Sequence, residues 1–248
     1  GSDLIRKNGA YDLSLNNYKS LFNSDKKIIG EASTFYIFSK NAAKEMYDFN
    51  PKAKIIIMLR DLVDLVHSIH SQFVFSGDET IENFEKALNM ESERLKGQKI
   101  PIQTTVVNKL FYTSNILSLP KNITSFINYF GNKNIKIIFL DEIKNNPQKV
   151  YSETLKFLNV DSNIMIPNFK IINKNKAYKS KFVRDFIKKY SIVLGKLRSK
   201  IFNKPIGIIR FAESLNKKEE NRISIPNNLR DNLIKKFSQA NINIQKIV

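Results

Sequence analysis

Two short apolar runs constrain the fold of this chain more than any other feature of its sequence. They are AKIIIML at residues 53–59 and NIKIIFL at residues 134–140. Apolar residues at consecutive positions are typical of strands that are covered on both faces in a parallel sheet. The sequence therefore predicts two buried parallel strands.

Helical patterns follow both strands and fill the segment between them. One helix is expected at about residues 62–75, and Pro147 suits the first turn of another. Residues 80–130 are mostly helical in pattern, with breaks expected near residues 97–101 and at Pro120. This alternation predicts an α/β fold with a parallel sheet flanked by helices.

The two ends of the chain carry further local signals. Ser14 can cap a helix that begins at Leu15, and KKIIG at residues 26–30 predicts a short additional strand. Beyond Lys179 the pattern predicts helices joined by loops, with an amphipathic stretch at about residues 226–240. The C-terminal part is therefore expected to be mostly helical.

The length and composition fit one large domain. The chain has 248 residues, of which 42% are hydrophobic, and this is enough for a well-filled core. We expect a single domain over residues 1–248, in which residues 160–248 form the helical C-terminal part. No apolar run approaches the roughly 20 residues of a membrane span, and residues 1–30 show no signal-peptide pattern. We therefore expect a cytoplasmic protein.

Charge and residue types limit the possible chemistry. A balance of 41 Lys and Arg against 23 Asp and Glu gives a formal net charge of +18. Such a charge attracts nucleic acids, anionic glycans, membrane surfaces and phosphorylated cofactors alike. The chain has no cysteine and two histidines, which excludes disulfides and thiolate chemistry and argues against a typical zinc site.

Polar residues follow the predicted strands at the points where ligands bind in parallel sheets. Glu31 follows the first strand, Arg60 the second, and Asp141 and Glu142 the third. Arg60 also precedes a helix start, where free N–H groups favour an anion, and Ser68 lies eight residues further on. An arginine and a serine so placed can hold a phosphate.

Three blocks of the sequence resemble, in order, the core of a known enzyme family. They are IIGEAST, KAKIIIMLRDLVDLVHSIHSQF and NIKIIFLDEIKNNPQKVYSETLKFLNV. They resemble sulfotransferases that use 3′-phosphoadenosine 5′-phosphosulfate, and the bacterial and heparan-sulfate-type carbohydrate sulfotransferases in particular. The resemblance implies a P-loop-NTPase-like parallel sheet. It also implies sulfuryl transfer to a hydroxyl or amine of a small-molecule or glycan acceptor, with 3′-phosphoadenosine 5′-phosphate as the product and no metal.

The resemblance also implies roles for individual residues. Glu31 corresponds to the family's general base, and we expect it to be partly desolvated. Arg60 and Ser68 correspond to the residues that bind the cofactor's 3′-phosphate. Further expected nucleotide contacts are Lys176 and Lys179, in a basic loop, and Tyr112, through stacking on adenine; Tyr36, His67 and His70 are candidates for the acceptor pocket.

One family feature has no counterpart in this sequence. The family's phosphosulfate loop, of the type PKxGTT, matches nothing in residues 1–30. We therefore expect that the chain begins after the strand and loop that bind the 5′-phosphosulfate.

Two other interpretations remain open at this stage. A nucleotide-dependent kinase on a related fold would need a glycine-rich loop and magnesium ligands, and neither is visible. A basic binding module for nucleic acid or anionic glycan fits the net charge, and it would bind polyanions in a salt-sensitive way without nucleotide preference. Under the sulfotransferase interpretation no nucleic-acid partner is expected.

Overall fold

The structure is a computed structural model, and it describes residues 15–20, 22–26, 28–161, 167–169, 175–190 and 214–248. The predicted cap at Ser14 lies outside the described residues, and the helix after it is α1, Leu15–Ser20. No helix in the described ranges is both long and apolar enough to cross a bilayer.

The two predicted buried strands form the parallel sheet. Strand β1 is Ile55–Leu59 and strand β2 is Ile135–Phe139, and they pair in parallel with Ile57 opposite Ile137. The prediction that β1 is covered on both faces is wrong. Its residues alternate in burial, and Ile56 and Met58 are 38% and 62% exposed.

Helices connect and cover this sheet. Before β1 lies α2, Ala42–Phe49, and after it lies α3, Leu62–Ser76. After β2 come α7, Leu140–Asn145, and α8, Pro147–Leu158, the latter opened by its proline as predicted. Between α3 and β2 lie three further α-helices: α4, Phe84–Asn89, α5, Glu91–Leu95, and α6, Tyr112–Phe130.

The predicted helix break at Pro120 is wrong, because α6 continues through it. Proline removes one helical hydrogen bond and costs stability in a helix interior. Buried side chains recur along α6 every three or four residues and pack it against α2 and α3. This packing offsets the local cost.

The C-terminal part combines helices with a small antiparallel strand pair. Strand β3, Lys176–Tyr178, pairs with β4, Lys217–Glu219, and residues 181–190 are helical and are called α9. The final helix, α10, is Asn227–Ile247, and its buried stripe packs against α6 and α3. The prediction of an amphipathic C-terminal helix is confirmed, while the strand pair differs from the predicted loops.

Candidate functional site

The turn between β1 and α3 brings charged groups to a helix start. Strand β1 ends at Leu59, and Asp61 caps α3 by accepting a hydrogen bond from the Asp64 N–H at 2.9 Å. Arg60 lies between them and is partly buried. The other free N–H groups and the helix dipole favour an anion at this end of the helix.

Three arginines from distant parts of the chain meet at this helix start; we call Arg60, Arg222 and Arg230 the arginine cluster. Arg222 Nη2 donates to Ser68 Oγ at 3.1 Å, and Arg230 Nη2 donates to Asp64 Oδ1 at 2.7 Å. Arg60 Nη2 lies 3.9 Å from Asp64 Oδ2. Three positive charges therefore act on the carboxylate of Asp64, and one of the three arginines, Arg222, also contacts Ser68.

The arginine cluster has hydrogen-bond donors that no group in the described residues uses. The Nε atoms of Arg60 and Arg222 are buried and have no hydrogen-bond partner in the part of the chain that the structure describes. Burial, and then the positive charge of Arg60, lower the pKa of Arg222 below its usual range. Buried polar groups in proteins are almost always hydrogen-bonded. Unused donors and uncompensated charge together fit an anion such as a phosphate, which takes paired N–H donors from guanidinium groups.

Sequence reasoning missed two members of this cluster. Arg222 and Arg230 lie more than 150 residues after Ser68 and Asp64 in the chain, as the separations of 154 and 166 show. Arg230 lies in the first turn of α10, where a cation is unfavourable next to the helix dipole. The unusual position of an arginine at the start of a helix was the sequence signal that could have identified Arg230.

Glu31 lies in an exposed segment, so the predicted strand at residues 26–30 and the predicted desolvation are both wrong. Residues 28–33 have no regular secondary structure, and Ile28 and Ile29 are 44% and 46% exposed. A strand needs a neighbouring strand to which it is hydrogen-bonded. Within the described residues, β1 pairs with β2 and not with residues 28–30.

Two tyrosines hold the Glu31 carboxylate. Tyr18 donates to Oε2 at 3.1 Å and Tyr36 donates to Oε1 at 2.8 Å. Partial burial, and then the charge of Glu31, raise the pKa of Tyr18. The candidate base is therefore oriented by hydroxyl donors, with the predicted acceptor residue Tyr36 as one of them.

Tyr112 and His70 belong to the protein core. Tyr112 is 0% exposed and its hydroxyl donates to Glu79 Oε2 at 2.9 Å. His70 is 3% exposed and its Nε2 donates to the Ile81 carbonyl at 2.8 Å. Their burial leaves no ring face for an adenine or an acceptor. The predictions of adenine stacking by Tyr112 and acceptor contact by His70 are therefore wrong.

His67 is also packed into the interior and faces the arginine cluster. It is 9% exposed, and its ring centroid lies 4.7 Å from that of Phe84. Burial, and then the charge of Arg222, lower the pKa of His67 to about 4. The predicted acceptor contact is not supported by this packed position.

The two lysines predicted to contact the nucleotide differ in position. Lys176 lies in β3, opposite Glu219, instead of in a loop, and β3 packs against α3. Arg222 follows Glu219 by three residues, a span of about 11 Å at most. Lys179 is exposed beyond the other end of β3, and its N–H donates to the Asn216 carbonyl at 2.7 Å. Lys176 is thus paired with a residue three positions before Arg222, whereas Lys179 contacts Asn216, six positions before Arg222.

The acidic pair after β2 has a structural role. Glu142 Oε2 accepts the Phe139 N–H at 2.8 Å, and Asp141 pairs with Lys144 at 2.6 Å. These contacts close the turn between β2 and α7. Within the described ranges, no group of three or more acidic or histidine side chains is arranged to hold a metal ion.

Comparison with solved structures identifies a similar fold. The chain is similar to the crystal structure of a sulfotransferase from Alicyclobacillus acidocaldarius, with a TM-score of 0.55 and 25% sequence identity. The match covers 79% of this chain and 74% of that chain. No protein-family model matches the sequence, and no curated protein matches it. The chain therefore has the α/β fold of a sulfotransferase.

Proposed function

We propose that this protein is a sulfotransferase that moves a sulfuryl group from 3′-phosphoadenosine 5′-phosphosulfate to a hydroxyl or amine of a carbohydrate. The observation that carries the proposal is the arginine cluster with Ser68 at the start of α3. The unused Nε donors of Arg60 and Arg222 fit a phosphate group. The similarity to a sulfotransferase supports the same class of reaction. In this proposal the fold is a P-loop-NTPase-like single domain.

The residues of the arginine cluster bind and orient the nucleotide. Arg60 and Arg222 hold the 3′-phosphate by charge-assisted hydrogen bonds, and the Ser68 hydroxyl contributes a further one. Arg230 keeps Asp64 paired, so that this carboxylate repels the phosphate less. Lys176 and Lys179 are proposed to contact the nucleotide from the β3 side. When bound, the nucleotide supplies the sulfuryl group.

Glu31 accepts the proton of the acceptor group in this proposal. Its carboxylate oxygens point to the hydroxyls of Tyr18 and Tyr36, which fix its orientation. Positioning of reacting groups contributes much of the rate in transfer reactions of this type. An acceptor hydroxyl that takes the place of one tyrosine hydroxyl at the Glu31 carboxylate is held in position to give its proton to Glu31.

Glu31→Gln tests this role in the full-length protein. We expect the variant to bind 3′-phosphoadenosine 5′-phosphate as the wild type does and to transfer sulfate at least about 100-fold more slowly, because glutamine cannot take a proton. Single-turnover transfer from labelled donor measures the rate. An unchanged rate would exclude Glu31 as the base.

Calorimetry with nucleotides tests the class of function. The wild-type chain should bind 3′-phosphoadenosine 5′-phosphate more tightly than adenosine 5′-phosphate, because the second ligand lacks the 3′-phosphate that the arginine cluster holds. Equal affinity for the two nucleotides, together with tight and salt-sensitive binding of single-stranded DNA or heparin, would favour the basic binding module instead.

A further inference from the structure

Three aromatic side chains of α9 point away from the rest of the described structure. Phe182, Phe186 and Tyr190 are spaced four residues apart, so they form one row of about 12 Å along the helix, which we call the aromatic row. These residues are 78%, 51% and 49% exposed. The ring centroids lie 6.3 Å apart in the first pair and 4.3 Å apart in the second. The aromatic row is therefore a continuous apolar ridge on the protein surface.

The opposite side of α9 is attached to the protein by charged side chains. Arg184 is 6% exposed, and its Nη1 donates to the Val74 carbonyl of α3 at 2.8 Å. The Arg184 guanidinium also lies 4.3 Å from the centroid of the Tyr178 ring, and Lys188 donates to Asp78 Oδ1 at 3.2 Å. With about 3.6 residues per turn, Arg184 and Lys188 lie on the side of the helix that faces away from the aromatic row.

This orientation is the reverse of the usual one. In a surface helix of a globular protein, the apolar stripe ordinarily faces the core and the charged side chains face water. In α9 the charged side chains contact the protein, and the aromatic row is exposed. Exposed apolar patches of this kind mark interaction sites. The packing of the domain therefore does not account for the aromatic row, whereas a partner would.

Basic side chains flank the aromatic row. Lys189 is exposed and lies about 20° around the helix from Phe182. Lys181 is 54% exposed and pairs with Glu82 at 3.0 Å. Residues 181–190 carry four basic side chains and one acidic side chain, Asp185, which pairs with Arg184 at 2.6 Å. Aromatic residues among basic ones are typical of a helix that lies in the surface of an anionic bilayer.

Charge and shape favour a lipid surface over other occupants of this ridge. Two copies of the chain would each bring a net charge of +18, and like charges repel. A protein partner would need a groove that matches the ridge. A bilayer needs no such match, because it accepts aromatic rings at the level of its headgroups, and its anionic lipids attract lysines.

We propose that α9 binds the surface of an anionic lipid bilayer, with the aromatic row inserted at the headgroup level and with Lys181 and Lys189 on the lipid headgroups. Three rings and two lysines give weak and reversible binding. This interaction is separate from the proposed function. The α9 contact at Val74 lies about 15 Å along α3 from Asp64, which the arginine cluster contacts.

Tryptophan fluorescence of the full-length protein tests insertion of the aromatic row at fixed ionic strength. The chain has no tryptophan, so a Phe186→Trp variant reports on α9 alone. Its emission should shift to shorter wavelength with vesicles of phosphatidylcholine and phosphatidylglycerol, and it should not shift with vesicles of phosphatidylcholine. Phe49→Trp is the matched control, because Phe49 at the end of α2 is also 51% exposed, and its emission should stay unchanged.

Co-sedimentation with the same anionic vesicles measures the affinity. Phe182→Ser should weaken binding at least about tenfold, because a buried phenylalanine side chain is lost while the net charge stays the same. Lys189→Ala should weaken binding about fivefold, through the loss of one charge near the surface. Phe49→Ser should bind as the wild type does.

Several results would overturn the proposal. No shift in Phe186→Trp with anionic vesicles would show that the row does not insert, which is also the result expected if residues 191–213 of this chain cover it. Equal shifts in Phe186→Trp and Phe49→Trp, or equal binding of Phe182→Ser and the wild type, would indicate adsorption by net charge. The same shift with heparin would indicate any polyanion, and a shift that grows with protein concentration without lipid would indicate a second copy. The nucleotide calorimetry contains no lipid, so its outcome bears on the proposed function alone.

Discussion

At the scale of a single residue, His67 is packed into the protein interior and faces the arginine cluster. Its folded-state pKa of about 4 lies below the ordinary value of 6.5, and burial and Arg222 are the main causes. Between these pH values the unfolded chain binds a proton that the folded chain does not bind. The free energy of unfolding therefore decreases as the pH falls from about 6.5 toward about 4.

His67→Gln should reduce this pH dependence. In the wild type, His67 alone should account for a loss of about 2 kcal/mol between about pH 7.5 and about pH 5. Glutamine does not titrate, so the variant should lose less stability over the same range. Urea unfolding at the two pH values measures the difference between the two proteins. The same loss in the wild type and the variant would show that His67 is protonated alike in the folded and unfolded states.

At the scale of secondary-structure elements, a buried ion pair links α5 and the start of α6 to Glu79, which follows α3 in the chain. Arg94 of α5 donates to Glu79 with both terminal nitrogens, at 2.7 and 2.9 Å, and Tyr112 at the start of α6 donates to the same carboxylate. Burial raises the pKa of Glu79, but the hydrogen bonds from Arg94, the Ile81 N–H and Tyr112, together with the charge of Arg94, outweigh it, and the net pKa lies below its usual range. Arg94 and Glu79 are 1% and 0% exposed.

Arg94→Ala should destabilise the protein by about 3–5 kcal/mol, because it leaves the Glu79 charge buried and unpaired. Lys96→Ala is the matched control, since Lys96 pairs with Glu93 on the surface and is 66% exposed. Exposed pairs contribute at most about 1 kcal/mol. Chemical denaturation of both variants measures these losses. Equal losses would mean that the buried pair does not hold these elements together.

The two strands of the sheet and the helices next to them could be predicted because the sequence signals for them are local. The apolar runs of β1 and β2 and the proline at the start of α8 each lie within a few residues of the element that they specify. The same local reasoning was wrong for the strand predicted at residues 26–30, because its described residues, 26 and 28–30, have no pairing partner in the described structure. It was also wrong for Pro120, where tertiary packing decides the outcome.

At the scale of the whole molecule, the candidate site is assembled by the path of the chain. Arg60 and Ser68 were chosen from the sequence because both lie near one helix start, and their assignment to a phosphate site stays a prediction. Arg222 and Arg230 could not be assigned, because only tertiary packing brings α10 against α3. Tyr112 was misassigned since a pattern does not distinguish an aromatic residue in a core from one in a ligand site.

The net charge of +18 makes the distinction between general and specific anion binding necessary. A positive field attracts every polyanion, whereas the arginine cluster is predicted to recognise one phosphate group. Salt weakens both kinds of binding, so affinity for a single ligand does not separate them. The difference in affinity between two nucleotides that differ by one phosphate separates specific from general anion binding.

Calorimetry of Arg60→Ala with 3′-phosphoadenosine 5′-phosphate and adenosine 5′-phosphate tests the central claim most directly. Lys236→Ala is the control, because Lys236 is exposed on α10 and its loss removes the same charge. The account predicts that Arg60→Ala weakens binding of the first nucleotide at least about tenfold more than binding of the second, while Lys236→Ala leaves both unchanged. Equal losses for the two nucleotides in Arg60→Ala would contradict the assignment of this cluster to the 3′-phosphate.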